Sequence, residues 1–284
     1  MGKAVAACLR LMRVVNSFMV GLAVIVGIFI ALPRGSQVDP VLLLSGFITG
    51  FTVSASSMVL NDIADVDIDM INQPDRPLPA GAIGVRAAWA CYMALMLAGA
   101  IASIPGGWDS LGLVLLAGAA SAAYNVRLKL SGFPGNVIVA FLTSLPFLYA
   151  YTLVDASNPA VVIFWAMVFL SVLGREIAKD IADVEGDAIK GGRTIPIVYG
   201  RRTAAIVATL FYAGAILLSP VPYLLRLIER PEVYIIGVTV VDALLVYSSL
   251  SLIRSPRKRV ALAHKKVVLI AMLIGLITFL VSTL

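Results

Sequence analysis

Ten of the chain's 16 carboxylates are packed into two short runs. The first holds Asp62, Asp65, Asp67 and Asp69, with Asn61 before them and Asp75 just beyond; the second holds Glu176, Asp180, Asp183, Glu185 and Asp187. At 100° per residue, Asp62, Asp65 and Asp69 share one helix face and Asp67 points away from it. Glu176, Asp180, Asp183 and Asp187 make a second stripe, at spacings of four, three and four. Like charges three or four residues apart repel, so each stripe calls for a counter-ion. Oxygen donors with no histidine or thiolate among them suit Mg2+ or Ca2+ rather than zinc. Mg2+ binds through one or two carboxylates, waters and phosphate oxygens, so two facing stripes are expected to hold two or three ions around a diphosphate. His264, the only histidine, is read as part of a basic loop, which excludes histidine triads and histidine metal sites. Cys8 and Cys91 are expected to be apolar helix filler, because two cysteines suggest neither a disulfide framework nor a zinc site.

The elements that carry these acids must lie in a membrane. Of 284 residues, 60% are hydrophobic and only 13% charged, with a mean hydropathy of +0.98; soluble domains carry about a quarter charged residues. Nine apolar runs have the length of a bilayer span: residues 14–33, 41–60, 87–104, 110–126, 134–153, 159–175, 203–225, 233–253 and 266–284. They fill the chain, so the expected fold is an all-α integral membrane protein of nine transmembrane helices, one domain over residues 1–284. No removable signal peptide is expected, since no small-residue cleavage site follows a short apolar stretch.

Threading the chain through nine spans places nineteen of the 22 lysines and arginines on one side, with Arg34, Arg226 and Arg230 opposite. The positive-inside rule makes the rich side cytoplasmic. The amino terminus and both acidic runs are then cytoplasmic, and the net charge of +6 needs no nucleic acid to explain it. Two cytoplasmic loops are long, roughly 61–86 and 176–202, and each opens with an acidic helical extension and closes on a Gly/Pro/Arg segment. This likeness hints at an internal pseudo-repeat. Small residues such as Gly99, Gly112 and Gly118 in spans three and four are expected to permit close helix packing.

One acidic loop on a membrane protein reads as solvated surface. Two same-side stripes, each followed by an arginine-containing turn, are specific, and they match a family. The pattern N-D-x-x-D-x-x-x-D at Asn61, Asp62, Asp65 and Asp69, followed by R-P-L-P-x-G at residues 76–81, resembles the first motif of the UbiA superfamily of intramembrane prenyltransferases. Asp183 and Asp187 ahead of Lys190-Gly191-Gly192-Arg193-Thr194 resemble the second motif, with Glu176 standing where many members carry aspartate. The segment Tyr124 to Lys129 resembles a third.

The resemblance implies a nine-helix bundle around a central cavity open to lipid, with Mg2+ bridging the acidic motifs to an isoprenyl diphosphate. Asn61, Asp62, Asp65, Asp69, Glu176, Asp180, Asp183 and Asp187 would then ligate metal. Arg76, Lys129, Tyr124, Arg193, Arg13 and Asn16 would contact the diphosphate, and Asp65, Asp183, Lys129 and Tyr124 would matter most to catalysis. Phe141, Phe147, Tyr149 and Phe169 are candidates to stabilise an allylic cation through their π faces, with packing against lipid as the alternative. Asp242, midway along the eighth span, is expected either to pair with a buried polar group or to touch the acceptor.

The string R-E-x-x-K-D-x-x-D-x-x-G-D at residues 175–187 resembles the archaeal branch that makes digeranylgeranylglyceryl phosphate. That implies geranylgeranyl transfer to the sn-2 hydroxyl of geranylgeranylglyceryl phosphate, with Arg175, Lys179 and Lys190 as candidate partners of the acceptor's phosphate. A 4-hydroxybenzoate prenyltransferase is the runner-up. The expected partners are an isoprenyl diphosphate donor, a lipophilic acceptor and the bilayer, with no obligate protein partner. Two other classes compete. A CDP-alcohol phosphotransferase would need a D-G-x-x-A-R signature that the chain lacks, and a transporter would place its ion-binding groups at mid-membrane, where only Asp242 lies.

Overall fold

The computed structural model describes residues 2–32, 36–129, 131–154, 158, 160–189 and 191–283, and the side chains of all of these but 2–5, 68, 71 and 72. Arg34 and Lys190 lie outside the described residues, as does the side chain of Lys3. The described chain is helical: α1 Gly2–Leu11, α2 Val14–Ala31, α3 Pro40–Ala64, α4 Val66–Asn72, α5 Val85–Ser103, α6 Gly107–Ala123, α7 Phe133–Leu153, α8 Ala160–Ile189, α9 Ile195–Tyr199, α10 Arg201–Leu218, α11 Val221–Leu224, α12 Pro231–Arg254 and α13 Lys258–Thr283. Start signals are local: Asp39 caps α3 by accepting the Val41 N–H at 2.8 Å, ahead of Pro40 in the first turn.

Eight stretches among the described residues are long and apolar enough to cross a bilayer. One of them, Val85–Leu128, is 44 residues long, about twice the span that ~30 Å of hydrocarbon requires at 1.5 Å per residue. It is interrupted at Ile104–Gly106 by a 3-10 turn, after which Gly107 takes φ +80°. The halves fold back on one another: a Cβ on Gly118 of α6 would lie 2.6 Å from the Met96 Cε of α5.

The chain divides into two compact units. Unit 1 comprises Met1–Ile28, Arg34–Val126 and Tyr149–Asp155. Within it α3 lies against α5, where a Cβ on Gly99 would meet Val53 and Thr52 at 2.8 and 2.9 Å. Small residues thus bring these backbones together as expected, whereas Gly112 faces open space. Ala7, Leu11, Val59 and Ala88 bury against Leu78 and Ile83 of the loop after α4, so that loop is pinned to helices just past Arg76. Cys8 and Cys91 are free, half-buried thiols 2.6 Å apart that join α1 to α5.

Unit 2 comprises Phe29–Pro33, Arg127–Leu148 and Ala156–Leu284. Here α8 packs on α10 and α13, and α12 on α13. Val172, Ile177, Ile181, Ala208, Leu252 and Val268 are among the buried side chains between them. His264 is not in a basic loop. The helix that carries the last span begins at Lys258, so His264 sits a turn and a half inside it, buried, with Tyr212 Oη at 3.0 Å and Ser248 Oγ at 2.6 Å. The basic residues 257–259 and 265–266 suggested a loop, but alternation with Val260, Ala261 and Leu262 is compatible with a helix whose cations snorkel.

Candidate functional site

In unit 1 the acids gather where α3 gives way to α4. The helix does not run straight through them: Asp65 is the C-cap of α3, at φ −99° and ψ 3°. The ladder nevertheless continues, Asp65 N–H to Asn61 C=O at 3.0 Å and Asp69 N–H to Asp65 C=O at 2.8 Å, so the shared face survives. Asp62, Asp65 and Asp69 are 4%, 9% and 4% exposed, while Asp67 and Asp75 face solvent. Burial of three carboxylates within two turns demands compensation, and two arginines supply it at Asp62 and Asp69. Arg13 Nη2 lies 2.8 Å from Asp62 Oδ1, and Arg76 Nη1 lies 2.5 Å from Asp69 Oδ2 and 3.4 Å from Asp62 Oδ1. Gln73 Oε1 accepts from Arg76 Nε at 2.9 Å and fixes the guanidinium.

Arg13 reaches the acids from the break between α1 and α2, with a left-handed φ of +45°; for a residue with a Cβ that conformation is strained. Asn16, one turn on, is exposed on α2 and does not join this cluster in the described contacts. The Asn61 amide donates to Asn125 Oδ1 at 3.0 Å, and the Asn125 amide donates to the Ser121 carbonyl at 2.9 Å. Asn125 escaped sequence reasoning. It lies one residue past Tyr124 in a π-helical turn, Tyr124–Leu128, that ends α6, and such turns gather at functional sites. Tyr124 itself is half-buried in that turn.

In unit 2 the acidic stripe lies on an unbroken helix, α8. Its inner members, Glu176 and Asp180, are each 4% exposed, whereas Asp183 faces solvent and Asp187 is half-buried. Glu176 Oε1 accepts from Arg175 Nη1 at 2.8 Å, and Oε2 pairs with Lys179 Nζ. Asp180 Oδ2 accepts from the buried Asn136 amide at 2.8 Å. Asn136 was also missed, since an amide at the start of an apolar run reads as a loop edge. The stripe ends in a Schellman turn: Gly191 N–H bonds Ala188 C=O at 3.1 Å and Gly192 N–H bonds Asp187 C=O at 2.8 Å, with Gly191 at φ +71°. Arg193 side chain is exposed, but its backbone is held: a Cβ on Gly132 would lie 2.1 Å from the Arg193 carbonyl. Lys129 is half-buried three residues before that glycine.

Other candidates are settled locally. Asp242 Oδ2 accepts from Ser219 Oγ at 2.7 Å, so it pairs with a polar group. Phe147 and Tyr149 are buried, Phe169 stacks on Trp165 at 5.5 Å, and Phe141 is exposed.

The donor chemistry fits Mg2+. The acids offer only oxygen, and the cluster in unit 1 already balances buried carboxylates with cationic groups. Among the described residues no three acidic, histidine or cysteine side chains stand together as a group that could hold a metal ion; Mg2+ takes one or two carboxylates and completes its shell with water and phosphate.

Comparison with known proteins follows the same lines. The model of the UbiA prenyltransferase family matches residues 20–281. A digeranylgeranylglyceryl phosphate synthase of Archaeoglobus fulgidus is 35% identical over 272 residues, 95% of this chain and 92% of that one. That of Methanopyrus kandleri is 34% identical over 278 residues, 98% and 99%. A solved structure of digeranylgeranylglyceryl phosphate synthase superposes with a TM-score of 0.80 at 32% identity, covering 100% of this chain and 99% of that one. A UbiA homolog from Archaeoglobus fulgidus bound to DMAPP and Mg2+ shares the fold, with a TM-score of 0.71 at 18% identity over 96% and 98% of the two chains. The chain belongs to the UbiA prenyltransferase family.

Proposed function

We propose that this protein transfers the geranylgeranyl group of geranylgeranyl diphosphate to the sn-2 hydroxyl of geranylgeranylglyceryl phosphate. The bond between the allylic C1 and the diphosphate oxygen breaks, an ether bond to the sn-2 oxygen forms, and diphosphate and the hydroxyl proton leave. The observation that carries this reading is identity of 32–35% along nearly the whole chain to digeranylgeranylglyceryl phosphate synthases.

Bound Mg2+ supplies Lewis-acid neutralisation of the diphosphate as it departs. Asn61, Asp62, Asp65 and Asp69 offer its ligands in one unit, and Asp180, Asp183 and Asp187 in the other. Asn125 and Asn136 orient Asn61 and Asp180 through the amide bonds described above, which presets the donors. Arg13 and Arg76 pair with the buried carboxylates of Asp62 and Asp69 and align them, and with Tyr124, Lys129 and Arg193 they contact the diphosphate. Apolar helices keep water from the allylic centre.

The chain acts as one domain with nine crossings, Val85–Leu128 making two of them. The excess of basic residues on one side supports a cytoplasmic amino terminus and a site open to the cytoplasm. The test is an acceptor competition. Purified protein receives geranylgeranyl diphosphate, Mg2+, geranylgeranylglyceryl phosphate and 4-hydroxybenzoate together, with EDTA as control and products resolved by mass spectrometry. A Mg2+-dependent diether phosphate is expected; a prenylated benzoate as main product would overturn the acceptor assignment.

A further inference from the structure

Cys8 and Cys91 stand 83 positions apart in the chain, and folding sets their sulfurs 2.6 Å from one another. Both belong to unit 1, Cys8 on α1 and Cys91 in the second turn of α5. Each is half-buried rather than sealed in the core. The pair matters because of the helix it holds. At ten residues, α1 is too short to be stable in isolation and depends on tertiary anchors. Ala7 and Leu11 supply one by burying against Leu78 and Ile83, and Cys91 packs on that same apolar cluster. Arg10 supplies another, donating from Nη2 to the Asp75 carbonyl at 3.0 Å.

From α1 the chain leads directly into the first acidic cluster. Arg13, two residues past the end of the helix, donates to Asp62 at 2.8 Å from its left-handed backbone. The Ser17 hydroxyl spans the break by donating to the Met12 carbonyl at 2.8 Å. Whatever fastens α1 to α5 therefore steadies the backbone from which Arg13 reaches its carboxylate. Disulfide sulfurs lie about 2.05 Å apart, so ~0.5 Å of movement at the ends of two side chains would bring these to bonding distance. A bond between positions 8 and 91 also closes a long loop, the case in which a cross-link restricts the unfolded chain most.

We infer that Cys8 and Cys91 are a disulfide site, which on oxidation becomes a covalent staple between α1 and α5 and steadies the Arg13 end of the acidic cluster. The two thiols give up two protons and two electrons, and the disulfide of a small thiol takes them. One cysteine attacks that disulfide, forming a mixed disulfide and releasing one small thiol; the second cysteine then displaces the other. The inference stands apart from the transfer reading, because it needs neither metal nor prenyl substrate.

The full-length protein in detergent is incubated with oxidised glutathione or with a reductant, and its thiols are counted by maleimide labelling and intact mass. Oxidation is expected to remove both free thiols and lower the mass by two hydrogens, with no link between chains on a non-reducing gel. Tm should rise by about 5 °C or more over the reduced form. Trypsin should cut after Arg10 and Arg13 about fivefold more slowly, since those cuts require α1 to come away. Cys8→Ser and Cys91→Ala should fold as the reduced wild type does and lose the response of Tm and cleavage to oxidation. Two thiols surviving oxidation would overturn the site, as would a lasting mixed disulfide with glutathione or a cross-link between two chains. A bond that forms while Tm or the cleavage rate stays as in the reduced protein would overturn the staple. So would the same oxidative shift in either variant.

Discussion

The two acidic regions answer the same electrostatic problem in different ways. In the first, the helix breaks at Asp65, and of the three buried carboxylates Asp62 and Asp69 are met by arginines from outside the helix, Arg13 and Arg76. In the second, α8 runs unbroken and the charge is graded along it: Glu176 and Asp180 are buried and compensated, while Asp183 stands in solvent. A broken helix gathers acids from both sides of the break onto one buried patch, which needs counter-charge from outside the helix. A straight helix spreads them about 1.5 Å per residue, so Asp183 reaches solvent while Glu176 bonds to Lys179 on the same helix and Asp180 to Asn136 of α7. The first cluster is therefore a fold-dependent clamp and the second a ruler.

The sharpest test of their common purpose is to remove one acid from each. Asp65→Ala and Asp183→Ala should each abolish Mg2+-dependent diphosphate release, by three orders of magnitude or more, in protein that still inserts and elutes as wild type. Near-normal turnover in either would show that the two regions do not share one reaction. EDTA should silence the wild type and added Mg2+ restore it.

Arg76→Gln probes the clamp. It leaves Asp69 without its guanidinium and Asp62 with Arg13 alone, and breaking a buried ion pair costs up to about 3–5 kcal/mol. A marked drop in Tm and a loss of activity are expected. Arg76→Lys should rescue poorly, since a point charge cannot span two carboxylates as the guanidinium fork does. Full rescue by lysine would argue that charge alone holds the cluster.

Smaller losses belong to the second region. Gly132→Ala places a Cβ 2.1 Å from the Arg193 carbonyl at φ +74°, and the left-handed backbone alone costs roughly 1–2 kcal/mol. Several-fold lower turnover with lower Tm is expected; unchanged kinetics would show that the Arg193 segment does not contribute. The weakest effect should come from Arg201→Gln. Arg201 pairs with Glu185, whose side chain is 59% exposed, and exposed ion pairs contribute about 0–1 kcal/mol. An unaltered Tm and kcat would confirm that the ruler's outer flank is solvated surface.

Much of this was legible in sequence because it depends on periodicity and composition. The apolar runs located the helices, and 100° per residue put Asp62, Asp65 and Asp69 on one buried face with Asp67 outside it. Local signals failed where partners come from distant segments. Nothing near Asn125 or Asn136 marks either as the mate of Asn61 or Asp180. His264 looked like part of a basic loop until its bonds to Tyr212 and Ser248 placed it inside a helix. Asn16 had the right neighbours in sequence, and its side chain is exposed on α2.

Sequence alone was enough for the helical membrane class, the family and the shared face of Asp62, Asp65 and Asp69, because each follows from residue type and short-range spacing. The Arg13 and Arg76 clamp, the break at Asp65, and the bond between Asn136 and Asp180 came from folding. Arg13 lies 49 positions from Asp62 and Asn136 lies 44 from Asp180, and the cost or gain of such contacts exists only once burial has removed water from between the groups.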